Sequence, residues 1–535
     1  MKAGSDYVSE TGSDRASVVD LSDDTESVPT AHKIGNGDKE SLREALKDIL
    51  DNMPDETHAG KLLQPLEGGG QERLKELGTK IRAFHKYFAT WETLHVVNNS
   101  KLAYVRDDVI QYLENAPEKE LSEVSQLERG DIVRAYERYR AFLGRLSHML
   151  FPYTSPYFGD HMALHSHFRN GGRGIVLSGN DKQAPYILTS LKVIRKLGSS
   201  LPVEIMYLEN ELNEDWRTKL EAVPGVIARN LSQMVSDEGW ELKGSASKPF
   251  ALLMSSFREV IYLDADALFF VNPEVLFEDP GYVETGTLFF RDRITSPSSR
   301  KQWLKDMLPK PISRKAQTSR YWTGKSREQQ DSGVLVVDKW RHFVAMLTVA
   351  RMNGPDRDDN PKTGSKGVFS LFYGDKETFW LGWELAGDTD YWFNEGATGN
   401  MGITAEDTGK ANDLSDEPDL GVTTSHEKRD LPIHPLYTIS SPQLLHLSTS
   451  NRPLWFSGWI LDDNFEDPKD TAISIWENYL SETKETNEPA EWRIAGHGMA
   501  TLKSNKLFKF TAKENDALSM IVETAREVGA VRMRR

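Results

Sequence analysis

Cysteine is absent from all 535 residues, which excludes disulfides, zinc–thiolate centres and cysteine nucleophiles together. Long apolar runs are missing as well. No stretch approaches 18 consecutive apolar residues, and Met1 to Gly60 lacks the basic and apolar regions of a secretory signal, so the sequence reads as soluble and without a membrane segment. Nor is there a surplus of basic charge. The formal net charge is -16; residues 1–60 hold 14 acidic against 6 basic side chains and residues 406–420 hold 6 against 1. Outside those two segments the chain is close to neutral, and nothing in it suits a nucleic-acid backbone. What is present is enough apolar material, 38% with 13 Trp, 17 Tyr and 22 Phe, to build a large core and aromatic grooves of the kind that stack on sugars or nucleotides.

Composition shifts divide the chain. Residues 1–60 are acidic and rich in Ser and Gly; up to about residue 38 they carry too little apolar surface to offset the entropy of ordering, and disorder is expected there. Ser41-Leu42-Arg43-Glu44, ahead of Leu46, Ile49 and Leu50, predicts a capping box and a short helix. Residues 61–170 form a helical accessory region. Gly68-Gly69-Gly70 reads as a linker, and apolar residues recur at helical spacing from Gln71 to about Thr93, from about Lys101 to Leu113, and from Leu127 to Leu150.

At Gly174 the pattern changes. Ile175-Val176-Leu177 reads as a buried strand, Ile187, Leu188, Leu191 and Ile194 mark a helix, and Val203 to Leu208 is a second buried strand. Such a β-α-β unit implies a parallel sheet. A helix from about Lys248 to Phe257 and a strand Val260 to Leu263 extend the alternation, with further strands expected at 286–290, 333–337 and 444–447. Residues 291–325 and 405–430 read as insertions, and the last 65 or so, within a C-terminal extension 471–535, as mixed helix and loop.

The chemistry gathers around Asp264-Ala265-Asp266, which follows Val260-Ile261-Tyr262-Leu263. Side chains two apart on a strand share a face, so both carboxylates can project from its end toward a hard divalent cation, leaving positions open for water and phosphate oxygens. By itself a D-x-D is equally a turn after a strand. In open α/β sheets ligands bind at carboxyl ends, and the loop Ser178 to Lys182 is expected to open into the same cleft. Three later segments add polar groups: Leu445-His446-Leu447 with Arg452-Pro453 six residues on, Gln330-Asp331-Ser332-Gly333 before a buried strand, and Gly374-Asp375-Lys376-Glu377 at the start of an apolar helix. A neutral imidazole ligates Mn²⁺, a guanidinium suits a diphosphate, and the acidic pair at the helix start serves equally to stabilise the helix dipole.

Taken in order, Lys248 to Asp266, Phe290 to Arg293, Gln330 to Lys339, Gly374 to Gly382 and the His446–Arg452 segment resemble the fungal α-1,3-mannosyltransferase family of Golgi type II enzymes, over roughly residues 170 to 465. A more distant similarity is to glycogenin-like transferases, which place Lys where Arg452 stands. The resemblance implies an α/β fold of the GT-A type in residues 171–470, with a mixed, mainly parallel sheet flanked by helices. It implies GDP-mannose as donor, Mn²⁺ as cofactor, a mannosylated glycan as acceptor and retention of configuration. Asp264, Asp266 and His446 are then the expected metal ligands. Asn180, Lys182, Lys248 and Arg452 are expected at the donor's diphosphate and nucleotide, and Asp331, Asp375 and Glu377 at the reacting sugar. Two alternatives stay open, a pseudo-transferase that binds sugars without turnover and a transferase using another nucleotide sugar. Golgi residence follows from the resemblance only, since family members carry a membrane anchor and this sequence begins with an acidic segment.

Overall fold

The computed structural model describes residues 36–532 apart from 99–102, 106–108, 154, 238, 296, 362–363, 365, 372–373, 407–435, 463–471, 474–475, 483–489 and 495–498. Two of the five sheets among the described residues organise the chain from residue 173 onward. The strands are β1 (Arg173–Ser178), β2 (Val203–Tyr207), β3 (Val226–Asn230), β4 (Glu259–Leu263), β5 (Leu268–Phe269), β6 (Thr287–Arg291), β7 (Gln330–Asp338), β8 (Trp392–Phe393), β9 (Thr398–Gly402), β10 (Leu444–Leu447), β11 (Pro453–Ser457), β12 (Asn478–Ser481) and β13 (Leu507–Lys509).

Seven of them form the main sheet in the order β8-β6-β7-β4-β1-β2-β3. All neighbours are parallel except where β7 runs against β4 and β6. This is the mixed, mainly parallel sheet expected of the GT-A plan. Ile175, Val176 and Leu177 on β1 and Val260, Ile261 and Leu263 on β4 are fully buried, because helices cover both faces and leave no solvent side for alternation. One face is covered by helix Ala184–Lys196. The other carries Phe343–Asn353 and Thr378–Ala386, both buried on every side, and behind them the long helices Gly70–His95 and Arg129–Leu150. A six-stranded sheet, β13-β12-β9-β10-β11-β5, packs beside the first and lends β10 and β11 to the site. Among the described residues no helix is long and apolar enough to cross a membrane.

Several local expectations are corrected. Helix Asn36–Asp51 contains Ser41 in its interior, so Ser41 is not its cap. The stretch from Lys101 begins instead with a hairpin, Val96–Asn98 against Ala103–Val105, and becomes helical only at Val109–Asn115; β-branched and aromatic residues there favour pairing over a helix. The insertion 291–325 folds into three short helices, Lys301–Met307, Arg314–Thr318 and Arg320–Thr323. The C-terminal stretch contributes strands before its helix Ala512–Val528. Its strands pair with partners distant in sequence, which local pattern cannot reveal. The acidic insertion lies outside the described residues from 407 onward, as does the N-terminal segment up to 35.

Candidate functional site

At the carboxyl ends of β1, β2 and β4 lies a cleft of about 710 Å³ whose lining includes Asn180, Lys248, Asp264, Asp266, Asp375 and Trp459. Local structure dictates the convergence. Asp264 N–H donates to Gly333 O at 2.8 Å, which continues the β4–β7 ladder one step past Leu263 and turns both carboxylates out at the sheet edge. Lys248 sits on helix Ser247–Met254, which leads directly into β4. Its buried ammonium lies 2.8 Å from Asp264 Oδ1 and 3.1 Å from Asp375 Oδ2, and donates to Ser332 Oγ at 3.0 Å and Ser332 O at 3.2 Å. Ser332 in turn donates to Asp375 Oδ2 at 3.1 Å. One cation therefore organises groups from three separate segments.

The electrostatics are strongly perturbed. Burial opposes the Lys248 charge, but Asp264 and Asp375 outweigh it and hold the ammonium well above its ordinary range. Burial pushes Asp264 up to about 7, with Lys248 pulling the other way. Asp266 is also raised by burial, tempered by backbone N–H groups including that of Gly458, which donates to its Oδ2 at 3.2 Å. Gly458 has φ +118, and an added Cβ would stand 2.7 Å from Pro442 O, so only glycine presents this donor without strain.

Asp331 and His446 form a second unit beside the cleft. His446 Nε2 lies 2.8 Å from Asp331 Oδ2, and its ring stacks on Trp455 with centroids 4.0 Å apart. Burial works against the Asp331 charge, yet the His446 hydrogen bond brings its carboxyl down to about 2. Gly333 N–H adds a donor at 2.9 Å.

Of the residues singled out in the sequence, Asn180, Lys248, Asp264, Asp266 and Asp375 share the cleft. The others do not. Glu377 is buried, and its oxygens are taken by Gln329 N–H at 2.8 Å, Gln330 N–H at 3.4 Å and Trp380 Nε1–H at 2.6 Å; it anchors the start of β7 rather than facing a sugar. Arg452 points to the C-terminal helix, donating from Nε to Glu514 Oε1 at 2.9 Å and from Nη2 to Glu514 Oε2. A carboxylate 62 positions later has claimed it. Lys182 is exposed and lies outside the cleft lining. His446 pairs with Asp331 and is outside the cleft lining. Asp331 is likewise outside the lining. Trp455 is core, whereas Trp459 lines the cleft. Ser332 and Gly458 escaped sequence reasoning, although the Q-D-S-G string adjoins a strand already identified.

Among the described residues no three His, Asp or Glu side chains converge as a ready metal cage. The chemistry of Asp264 and Asp266 nevertheless fits a hard divalent cation. Both are oxygen donors at the cleft wall, burial penalises both negative charges, and among the described residues Asp266 has no cationic side chain in hydrogen-bond contact. Two carboxylates suffice where water and a diphosphate supply the remaining ligands.

A family model described as "Mannosyltransferase putative" matches residues 172–448. The chain is 28% identical over 300 residues to "Putative alpha-1,3-mannosyltransferase MNN15" of Candida albicans, covering 46% of this chain and 38% of that protein. It is 26% identical over 321 residues to alpha-1,3-mannosyltransferase MNT3 of Saccharomyces cerevisiae, covering 54% and 46% respectively. In both cases the chain spans less than half of the relative. Among solved structures, glycosyltransferase GlyE of Streptococcus pneumoniae TIGR4 aligns at 15% identity over 42% of this chain and 46% of that one, with a TM-score of 0.27.

Proposed function

Because the chain belongs to this mannosyltransferase family, we propose that it moves mannose from GDP-mannose to a mannose of a protein-linked or cell-wall glycan, forming an α-1,3 linkage with retention of configuration. The observation that carries this reading is the Lys248 hub. A single buried ammonium ties the D-x-D residue Asp264 to Asp375 and Ser332 at the mouth of a cleft large enough for a nucleotide sugar.

Each residue has a distinct task. Lys248 fixes the carboxylates and adds positive charge near the departing diphosphate, in a site screened from water where such charge acts strongly. Asp264 and Asp266 hold Mn²⁺ when it is bound, and the ion supplies Lewis-acid stabilisation of the leaving GDP. Asp375, pinned by Lys248 and Ser332, accepts hydroxyl groups of the donor mannose and faces the carbon that gains positive charge. Asn180 and the loop after β1 receive the nucleoside. The acceptor hydroxyl enters on the leaving-group side and gives its proton to the departing phosphate. Family resemblance alone suggests the Golgi lumen as the compartment.

Asp264→Ala and Asp266→Ala should each cut transfer from GDP-mannose by about 10² to 10³, the usual loss when one stabilising group is removed. The assay is product formation with Mn²⁺ present, alongside UDP-galactose and UDP-glucose as alternative donors. Turnover persisting in both variants would sink the site assignment; faster transfer from a uridine donor would sink GDP-mannose.

A further inference from the structure

A second cavity, of about 610 Å³, is walled by Arg291, Lys315, Arg320, Tyr391, Trp392 and Phe393 and shares no lining residue with the donor cleft. Its position follows from topology. Arg291 ends β6, which runs parallel to β4, so the cavity opens on the same rim as Asp264 and Asp266. Between the two cavities stands antiparallel β7, where Asp331 pairs across from Phe290.

Arg291, Lys315, Arg320 and Lys325 line it against Glu395 and Glu482, leaving an excess of positive charge. Arg320 is neutralised by Glu482 at 3.0 Å, and Glu482 is further occupied by Trp492 Nε1–H at 3.0 Å and Ile294 N–H at 3.2 Å. Among the described residues Lys315 donates to two carbonyls, Thr389 O at 2.7 Å and Tyr391 O at 2.6 Å, with Asp390 and Glu384 favouring its charge from nearby. The guanidinium of Arg291 makes no hydrogen bond or ion pair with any described residue and lies over the Phe393 ring, 4.8 Å from its centroid. Burial, and then Arg320, bring Arg291 down to about 10, and burial also lowers Lys315. Both cations are thus held where their charge is costly. A planar guanidinium pairs with two oxygens of a phosphate or carboxylate, and the flanking aromatic residues suit the apolar face of a sugar.

We propose that this cavity binds an anionic group, phosphate or carboxylate, carried on the acceptor saccharide. The inference rests on the transferase reading above and names the acceptor class for it. Such a saccharide would occupy the rim beyond β7, across that strand from the donor cleft.

The test uses the full chain without donor, titrated calorimetrically with methyl α-mannoside, its 6-phosphate, the corresponding uronate and inorganic phosphate. At least one anionic mannoside should bind ~10-fold more tightly than the neutral one, the gain expected from a charge-assisted pair, and more tightly than inorganic phosphate. Which of the two wins identifies the anion. Arg291→Met should erase that preference, and in transfer assays raise KM for the anionic acceptor ~10-fold while leaving the neutral acceptor's KM unchanged. Lys315→Met, on a different element, gives the same readout if Arg291→Met fails to fold. Equal binding of neutral and anionic mannosides, or a preference that survives both variants, overturns the proposal. Binding that behaves as expected while no variant or wild type transfers mannose counts against the transferase reading alone.

Discussion

Asp375 and Glu377 stand two positions apart, yet one lines the cleft and the other faces the protein interior. Sequence alone makes them equivalent, two carboxylates at a helix start. The difference arises because the amides of Gln329 and Gln330 and the Trp380 indole need acceptors in a buried place, and an unpaired buried donor costs about 1–3 kcal/mol. Burial pushes Glu377 from its ordinary 4.5 to about 7. Its folded state therefore holds a proton that the unfolded chain has lost, so this group's contribution is present below about pH 4.5 and disappears as pH rises through 7. Glu377→Gln should remove that slope. Gln can still accept from Gln329, but its amide meets the Trp380 N–H donor to donor, and we expect a loss of about 1–2 kcal/mol. Transfer should fall less than ~10-fold in Glu377→Gln and at least ~10² in Asp375→Asn. Denaturant titration across pH and steady-state kinetics check both. The D-x-D, Lys248 and Asp375 were legible because each sits in a motif next to a strand or helix end. Arg452 was not, since its direction is decided by Glu514, a residue no local pattern connects to it.

At the scale of elements, the short helix His161–Phe168 fastens the helical layer to the sheet layer through two buried histidines. His161 lies 2.8 Å from Ser147 Oγ and 3.1 Å from Tyr153 O. His165 approaches Trp340 O at 3.2 Å and stacks on that indole at 3.8 Å. Burial, partly offset by those backbone carbonyls, lowers His161 to about 4 and His165 to about 3. Because a neutral buried histidine must charge on unfolding in acid, their contribution is present above pH 6.5 and lost as pH falls toward 4 and 3. Each steepens the decline by up to about 1.4 kcal/mol per pH unit. Hydrogen exchange should therefore show residues 161–168 opening before the main sheet between pH 6 and 4, and His161→Gln should flatten the acid limb of the stability curve. Uniform loss of protection across both layers would refute this order. Elements of this kind were only partly visible in the sequence. The parallel strands declared themselves through short apolar runs between turn signals, whereas the six-stranded sheet joins strands from residue 268 to residue 509, of which the local pattern marked Leu444–Leu447 alone.

For the whole molecule, what matters is that the helical layer is continuous with the core that supports the site. Asp356 accepts from Arg351 Nε at 2.7 Å and pairs with Arg73 Nη2 at 3.1 Å, while Arg82 donates to Glu384 O at 2.8 Å and Leu385 O at 3.3 Å. Closest of all is Gly78 on helix Gly70–His95, where an added Cβ would stand 2.8 Å from Pro309 Cγ, 2.9 Å from Leu385 Cδ2 and 3.2 Å from Leu385 O. The facing helix, Thr378–Ala386, is buried on all sides and begins three residues after Asp375, so displacement at its far end has no slack to absorb it. Gly78→Val should consequently do two things. Overpacking at a helix–helix contact costs typically about 1–3 kcal/mol, visible as a lower denaturation midpoint. The same wedge should shift Asp375 relative to Lys248 and Ser332, lowering kcat with little change in donor KM, because the groups around Asn180 belong to the opposite side of the sheet. Gly78→Ala is the graded control, with a smaller loss of both. A variant that loses stability yet keeps its kcat would show that the site tolerates movement of this helix, and that the helical layer supports folding without setting the catalytic geometry.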